Sequence, residues 1–226
     1  MPTLYLVATP IGNLEDSSFR AVRILKDVSL IAAEDTRKTK RLLSTYEINT
    51  PLTSYHEHNK KVKTPRLIKS LGEDDIALVS EAGMPGINDP GYDLVQAALA
   101  QGFHVVPIPG PSAIPTALAV SGITAEQFVH LGFLPRKTGQ RKKLLESVAD
   151  QPRSIVAFES PYRLLSTLKD IDEIFDERRI AICREMTKLH EEIWRGTAIE
   201  AIAHFTKPRG EFTLVIEGKP RKATRA

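Results

Sequence analysis

Short apolar runs alternate with amphipathic stretches along the first half of the chain. The runs predict buried strands, and the stretches between them predict helices, because apolar residues recur there every three or four positions. One helix is predicted over 17–28 with Asp16 as its N-cap, and another over 92–101 with Gly102 ending it. The predicted strands are 4–8, the start of 30–37, 76–80 and 104–108. This alternation predicts a mostly parallel sheet covered by helices.

The second half keeps the alternation but spaces its last strands more closely. A helix is predicted over 163–175, where Leu164, Leu168 and Ile171 share one face. The predicted strands are 128–133, 155–159, 180–184, 192–195 and 212–217. The close spacing predicts some antiparallel pairing. We therefore predict an α/β fold with domains at 1–120 and 121–218, a parallel sheet in the first, a mixed sheet in the second, and a basic tail at 219–226.

Composition narrows the class of protein. With 42% hydrophobic and 26% charged residues among 226, the chain is typical of a soluble globular protein. No apolar run approaches the roughly 20 residues that a membrane span needs. The start "MPTLYLVATP" lacks the basic region of a signal peptide, and the single cysteine, Cys183, excludes an internal disulfide. These features favour a cytoplasmic protein with no membrane partner.

Positive charge is concentrated in the second half. Residues 1–118 hold 12 basic and 13 acidic residues, whereas the remainder hold 19 and 15. Basic residues cluster at 37–41, at 136–143 and in the tail from 219. Each cluster could contact phosphates, or could be a solvated helix face or a frayed terminus.

Three strand-to-helix corners of the first half are rich in glycine and proline. They read "VATPIGNLEDSS" (7–18), "LVSEAGMPGINDPGYDLV" (78–95) and "VVPIPGPSAIPTALAVSG" (105–122). Corners at the carboxyl ends of neighbouring strands converge, and glycine lets a ligand approach bare backbone. None has the spacing of a dinucleotide or P-loop phosphate site. The corners favour a neutral or cationic adenosyl ligand held by main chain; the alternative is that they are only tight turns.

Eight blocks along 4–218 carry a resemblance to a known family: "LYLVATPIGNLED", "LIAAEDTRKT", "LVSEAGMPGINDPG", "VVPIPGPSA", "GFLPRK", "FESPYRL", "ICREMTKLHEE" and "GEFTLVIEG". They resemble the bacterial ribosomal RNA small subunit methyltransferase I family of the tetrapyrrole methylase superfamily. The resemblance implies transfer of methyl from S-adenosyl-L-methionine to the ribose 2′-oxygen of a cytidine in the decoding region of 16S ribosomal RNA. It also implies a tetrapyrrole-methylase-like fold with the cofactor in the cleft between its domains, a homodimer, and ribosomal RNA or the assembled small subunit as partner.

The resemblance also implies site residues. The cofactor contacts would be Pro10, Gly83, Pro85, Ile87, Ser112, Ala113, Phe158, Ser160, Gly210 and Phe212. Glu81 and Lys188 are the expected catalytic contributors, chosen from a wider set that includes Glu159, Glu185 and Glu211. Surface charge or a structural ion pair is the alternative role for each of them.

RNA contacts are expected from two basic clusters. Their members are Arg37, Lys38, Arg41, Arg136, Lys137 and Arg141. His56 and His58 flank Glu57 and would share a face on a strand, but no third ligand cluster accompanies them, so no metal is expected.

Two departures from the family pattern bear on function. Glu81 stands where the family usually has Asp, and the chain stops at Ala226, without the helical extension of many relatives. The second departure predicts either a naturally short member or a truncated chain. Two other functions stay open: a superfamily methyltransferase acting on a tetrapyrrole or other small molecule, and a non-catalytic RNA-binding module.

Overall fold

A computed structural model describes residues 1–220 of the chain, which divides into two compact units, Met1–Ser112 and Ala113–Ala226. The division falls between Ser112 and Ala113, whereas the sequence led us to expect it near residue 120. Residues 221–226, most of the predicted basic tail, lie outside the described residues.

The first unit is built from five strands and four α-helices in strict alternation. In chain order they are β1 (Thr3–Val7), α1 (Phe19–Asp27), β2 (Leu30–Ala33), α2 (Thr36–Thr45), β3 (Leu52–Ser54), α3 (Lys60–Glu73), β4 (Ile76–Val79), α4 (Tyr92–Ala100) and β5 (His104–Ile108). The strands form one parallel sheet in the order β3-β2-β4-β1-β5. The predicted parallel sheet is confirmed.

Helices cover both faces of this sheet. Leu25 of α1 and Leu43 of α2 pack with Val7 and Val79 in one core. Residues of α3 and α4, such as Leu71 and Leu94, pack with strand residues that point to the other face in a second core. Side chains of a strand alternate between faces, so a strand buried on both sides reads as one continuous apolar run.

The start of α1 differs from the predicted one. Ser18 is the N-cap, and its side chain accepts a hydrogen bond from the Ala21 N–H at 3.0 Å. Asp16 belongs instead to a short 3-10 helix, Leu14–Asp16. Both residue types cap helices well, so composition alone does not decide between them. Gly102, with φ of 77°, follows α4 as predicted.

The second unit begins with a helix and contains a mixed sheet. Its elements are α5 (Ala113–Ser121), β6 (Phe128–Phe133), α6 (Thr138–Val148), β7 (Ser154–Glu159), α7 (Leu164–Phe175), β8 (Ile180–Arg184), β9 (Glu192–Gly196), α8 (Ala198–His204) and β10 (Phe212–Ile216). The strand order is β6-β7-β10-β8-β9, parallel between β6 and β7 and antiparallel elsewhere. The predicted mixed sheet is confirmed.

The two faces of the second sheet are covered differently. Helices α6, α7 and α8 pack on one face, where Leu145, Leu168 and Ala201 join a single core. Helix α5 packs on β8, β9 and β10, with Cys183 Sγ 4.0 Å from the Ala117 carbonyl oxygen. Because α5 lies on this sheet, it belongs to the second unit and not, as the sequence suggested, to the first.

Candidate functional site

The three glycine- and proline-rich corners meet at the carboxyl edge of the first sheet. Thr9 and Gly83 exchange two backbone hydrogen bonds, each 2.9 Å long, which joins the corner after β1 to the corner after β4. The Ala8 N–H donates to the Ile108 carbonyl at 3.2 Å, at the start of the corner after β5. Since β1 lies between β4 and β5, all three corners come together as the sequence predicted.

Glycines make this close approach possible. A Cβ at Gly110 would lie 3.0 Å from the Ala8 Cβ, tighter than ordinary van der Waals contact. Gly83 has φ of 80°, and a Cβ there would lie 3.7 Å from the Pro111 carbonyl oxygen. At these two positions the corners therefore pack closely on one another, with no glycine side chain between them.

The residues expected to hold the cofactor divide between the two units. The first unit contains Pro10, Gly83, Pro85, Ile87 and Ser112, and the second contains Ala113, Phe158, Ser160, Gly210 and Phe212. Gly83, Pro85 and Phe212 are buried, whereas Ile87 is 51% exposed. Their role in cofactor binding stays a prediction.

Carboxylates gather beside the corner that follows β4. The Glu81 N–H donates to Glu34 Oε2 at 3.2 Å, and the Glu81 carboxylate is paired with Lys38. Lys38, expected to contact RNA, and Glu81, expected to act in catalysis, are thus bound to each other through their side chains. Negative charge from two adjacent strands, β2 and β4, accumulates at this edge.

Asp89, in the same corner, is a candidate functional residue that the sequence analysis did not single out. Burial, assisted by the neighbouring Glu34 and Glu81 charges, raises the pKa of Asp89 to about 7, while a hydrogen bond with Ser80 opposes the rise. A carboxyl group with such a pKa exchanges protons near neutral pH. Asp89 lies in the quoted motif "LVSEAGMPGINDPG", but the burial of its side chain cannot be predicted from the motif.

Lys188, the other expected catalytic residue, lies in the second unit between two carboxylates. Its Nζ is 2.9 Å from Glu185 Oε1 and 2.8 Å from Glu211 Oε2. Burial acts to lower the pKa of Lys188, but the Glu211 and Glu185 carboxylates outweigh burial and raise it. Lys188 is therefore a cation at neutral pH and cannot act there as a proton acceptor.

The turn that carries Lys188 has strained backbone. Glu185 and Thr187 have φ of 49° and 67°, which is unusual for any residue with a side chain and more so for β-branched Thr. A Cβ at Gly210 would lie 2.6 Å from Glu185 Cδ, so only glycine leaves room for the Glu185 carboxylate. Strain held by surrounding contacts is common at functional sites.

The basic residues expected to bind RNA are not equally available. Arg37, Arg41, Arg136 and Lys137 are exposed. Arg37 and Arg41 lie on α2, whose first turn is capped by the Asp35 side chain; it accepts from the Arg37 N–H at 2.8 Å, and this bond holds the pKa of Asp35 below its usual value.

Arg141 does not fit its predicted role. Its side chain is 2% exposed, and its NH2 atom lies 2.6 Å from Asp170 Oδ2 on α7. The interpretation of Arg141 as an RNA contact is wrong, because its helix position faces the core and its charge is already neutralised.

The two histidines suggested as a pair do not lie on a strand. His56 and His58 belong to the turn before α3, and their ring centroids are 6.0 Å apart. His56 Nε2 is 3.1 Å from Asn59 Nδ2. Across residues 1–220 no group of three or more His, Cys, Asp or Glu side chains is placed to hold a metal ion.

Comparison with known proteins defines the class to which this fold belongs. Residues 3–202 match the tetrapyrrole (corrin/porphyrin) methylases. Because the match spans most of the chain, the chain belongs to the tetrapyrrole methylase family.

Curated relatives narrow the class. Proteins named ribosomal RNA small subunit methyltransferase I are similar to this chain in Halalkalibacterium halodurans (52% identical over 97% of this chain and 77% of that protein), Thermotoga maritima (51%, over 97% and 100%) and Bacillus subtilis (50%, over 96% and 76%). Identity of this extent places the chain in the ribosomal RNA small subunit methyltransferase I branch of the family.

Solved structures agree on the fold. The uroporphyrin-III-C-methyltransferase of Thermus thermophilus superposes with a TM-score of 0.67 at 18% identity, covering 96% of this chain and 94% of that one. At this identity the likeness concerns the fold alone. Among the described residues, no helix has the length and apolar character that crossing a membrane requires.

Proposed function

We propose that this protein is an S-adenosyl-L-methionine-dependent methyltransferase acting on small-subunit ribosomal RNA, at the ribose 2′-oxygen of a cytidine in the decoding region. The observation that carries the proposal is the meeting of three glycine- and proline-rich corners at the carboxyl edge of the first sheet. Ligands of open α/β sheets bind at that edge. Relatives named for methylation of small-subunit ribosomal RNA support the choice of substrate.

The cofactor would be held chiefly by main chain. Gly83, Pro85 and the segment around Pro10 supply backbone groups from corners whose mutual positions are fixed by hydrogen bonds. S-adenosyl-L-methionine, when bound, supplies the methyl group from its sulfonium. The rigid corners lower the entropy cost of binding because little loop freedom is left to lose.

Proton removal and stabilisation of negative charge would be carried out by different residues of the chain. The acceptor hydroxyl must lose a proton as its oxygen forms a bond to carbon, so a carboxylate that binds protons near pH 7 is useful. Asp89 is the candidate for that task, and Glu81, expected from the sequence to contribute to catalysis, lies near it. Lys188, held protonated by Glu185 and Glu211, suits stabilisation of negative charge on the RNA rather than proton removal.

We extend the proposal to the setting of the reaction. The substrate is free ribosomal RNA or the assembled small subunit, the protein acts in the cytoplasm where ribosomes are made, and it is a homodimer, as the family resemblance implies. Sedimentation of the purified chain tests the last point.

The decisive experiment is transfer of tritiated methyl from S-adenosyl-L-methionine to purified small subunits lacking the modification, followed by nucleoside mass spectrometry. Appearance of 2′-O-methylcytidine is expected. Label in another nucleoside would contradict the position, and absence of label together with no heat of cofactor binding in calorimetry would favour a non-catalytic module.

The same assay examines the two residues expected to contribute to catalysis. Glu81→Ala and Lys188→Ala should each lower the rate at saturating cofactor and RNA by roughly 10-fold or more. The matched controls Glu73→Ala, at the end of α3, and Lys169→Ala, on α7, change exposed charges outside the three corners and should leave the rate unchanged. Unchanged rates for both test variants would remove these residues from the reaction.

A further inference from the structure

A group of aromatic rings, one of them exposed, lies on strands β6 and β7 in the second unit. Its members are His130, Phe133 and Phe158, which we call the aromatic surface. The ring centroids of Phe133 and Phe158 are 5.3 Å apart at an interplanar angle of 51°, and those of His130 and Phe158 are 5.1 Å apart at 70°. Phe133 is 62% exposed. A large ring left in solvent beside other aromatic rings is a candidate for ligand contact.

The backbone of β6 determines where the Phe133 ring lies. The register of β6 against β7 shifts between His130 and Phe133, and Gly132 in that interval has φ of 66°. The shift places Phe133 directly opposite Phe158 on the neighbouring strand. Ile155 and Ala157 point into the core of the opposite face, so Phe158 and its partner Phe133 point away from that core.

Hydrogen bonds hold the ends of both strands in place. Arg163 donates from NH1 to the Leu134 carbonyl at 2.7 Å and from Nε to Ser160 Oγ at 3.1 Å. Its NH2 atom lies 2.7 Å from Glu159 Oε1, and Glu159 is 2% exposed. The residues just after Phe133 and Phe158 are thus fixed by one guanidinium, which leaves the aromatic surface little freedom to lose on binding.

The chain segment that carries Phe133 is positively charged. The stretch 128–145 contains no Asp or Glu, and exposed Arg136 and Lys137 follow Phe133 closely. The nearby Glu159 carboxylate is neutralised by Arg163. An aromatic face beside exposed cations suits single-stranded nucleic acid, whose bases stack on rings while its phosphates contact Arg and Lys.

We propose that Phe133, supported from beneath by Phe158, is a stacking platform for an unpaired base of the RNA substrate, with Arg136 and Lys137 contacting the adjoining phosphates. This inference rests on the proposed RNA substrate and adds to it a position for one base. Burial lowers the pKa of His130, so its ring is neutral at pH 7 and adds no charge beside the two phenylalanine rings.

Phe133→Leu and Phe133→Trp test the platform in the full chain. Leu keeps apolar volume but removes the ring, whereas Trp keeps a stacking face. Binding of a single-stranded fragment of small-subunit RNA, measured by fluorescence anisotropy, should weaken about 5- to 100-fold in Phe133→Leu and stay within about two-fold in Phe133→Trp. Phe128→Leu is the matched control, because Phe128 lies at the other end of β6 and is 44% exposed; its affinity should not change.

The outcomes separate the platform from the proposed function. Equal RNA affinity of the wild type and Phe133→Leu would overturn the platform and leave the proposed function intact. Equal losses of RNA affinity in Phe133→Leu and Phe128→Leu would also overturn it. A change of sedimentation in Phe133→Leu without a change in RNA affinity would overturn it too, and would assign the aromatic surface to contact between copies of the chain. Wild-type protein that neither binds nor methylates the RNA would remove the proposed function and the platform with it.

Discussion

At the residue scale, the carboxyl group of Asp89 is held in an environment that disfavours its charge. It lies partly buried near Glu34 and Glu81, and its pKa of about 7 exceeds the ordinary 3.8. The folded protein therefore binds this proton more tightly than the unfolded chain does. Stability that the protonated form provides is lost as the pH rises from about 4 to about 7, and the loss is complete above pH 7.

Asp89→Asn should remove this pH dependence, because Asn keeps the shape and stays neutral. The full pKa shift corresponds to roughly 4 kcal/mol, which solvent screening of the partly exposed carboxyl group reduces. We therefore expect the variant to exceed the wild type in free energy of unfolding by about 2 kcal/mol at pH 8, and to match it at pH 4. Urea denaturation at both pH values measures the difference. Glu15→Gln, at an exposed position, should show no such change, and an Asp89→Asn curve parallel to the wild-type curve would contradict the assignment.

Arg141 offers a second prediction at this scale, since its partner Asp170 is itself 7% exposed. Arg141→Met leaves the buried Asp170 carboxylate with only Lys142, whose Nζ is 4.0 Å away, and should lower the free energy of unfolding by roughly 3 kcal/mol. The double variant Arg141→Met/Asp170→Leu should lie within about 1 kcal/mol of the wild type. Urea denaturation measures both. RNA affinity should be unchanged in the double variant but reduced in the exposed control Arg136→Met; a reversed pattern would restore Arg141 as an RNA contact.

Arg141 and Asp89 show which properties of a residue could not be predicted from the sequence. Arg141 sits among basic neighbours, and only the packing of α6 on α7 reveals that it faces Asp170 rather than solvent. Asp89 lies inside a quoted block, but its pKa is raised by burial and by Glu34, which is distant in sequence and adjacent only once β2 and β4 pair. Pairwise electrostatics of this kind follows from tertiary structure and not from local pattern.

At the element scale, the local sequence pattern predicted more of the structure. Apolar runs predicted most strands to within a residue or two, and the positions of the three corners followed from the parallel alternation. Strand β3, of three residues, was missed because it is too short for a periodic signal. Helix α5 was recognised as a helix, yet its membership of the second unit depends on contacts with β8, β9 and β10 that come much later in the chain.

Gly110→Ala tests the packing of the corners. The added methyl group would press on the Ala8 Cβ at 3.0 Å and push the corner after β5 away from the corner after β1. We expect the affinity for S-adenosyl-L-methionine, measured by calorimetry, to fall by about 10-fold, since misplacement by a fraction of an ångström costs main-chain contacts. In Gly72→Ala, in α3, the added Cβ meets no atom outside its own helix closer than 3.9 Å, so this variant should bind the cofactor normally. Unchanged affinity in Gly110→Ala would place the cofactor elsewhere.

At the scale of the whole molecule, the net charge of +3 is unevenly distributed. The residues up to 118 are close to neutral, with 12 basic and 13 acidic residues, and the excess of basic residues lies in the remainder. Exposed cations nevertheless occur in both units, on α2 and at the start of α6. Several of the other basic residues, such as Lys188 and Lys142, are already paired with carboxylates. Affinity for RNA should therefore depend on a few exposed cations and not on net charge.

The dependence of RNA affinity on salt concentration distinguishes binding through a few exposed cations from attraction by net charge. Each phosphate neutralised on a single strand contributes about 0.7 to the slope of log K against log salt concentration. Arg37→Gln/Arg41→Gln should therefore reduce the slope by about 1.4. Arg23→Gln/Lys26→Gln on α1 removes the same charge from exposed positions and should leave the slope unchanged. Equal reductions in both double variants would mean that net charge alone attracts the RNA, and an unchanged slope in the first would exclude α2 from the RNA contacts.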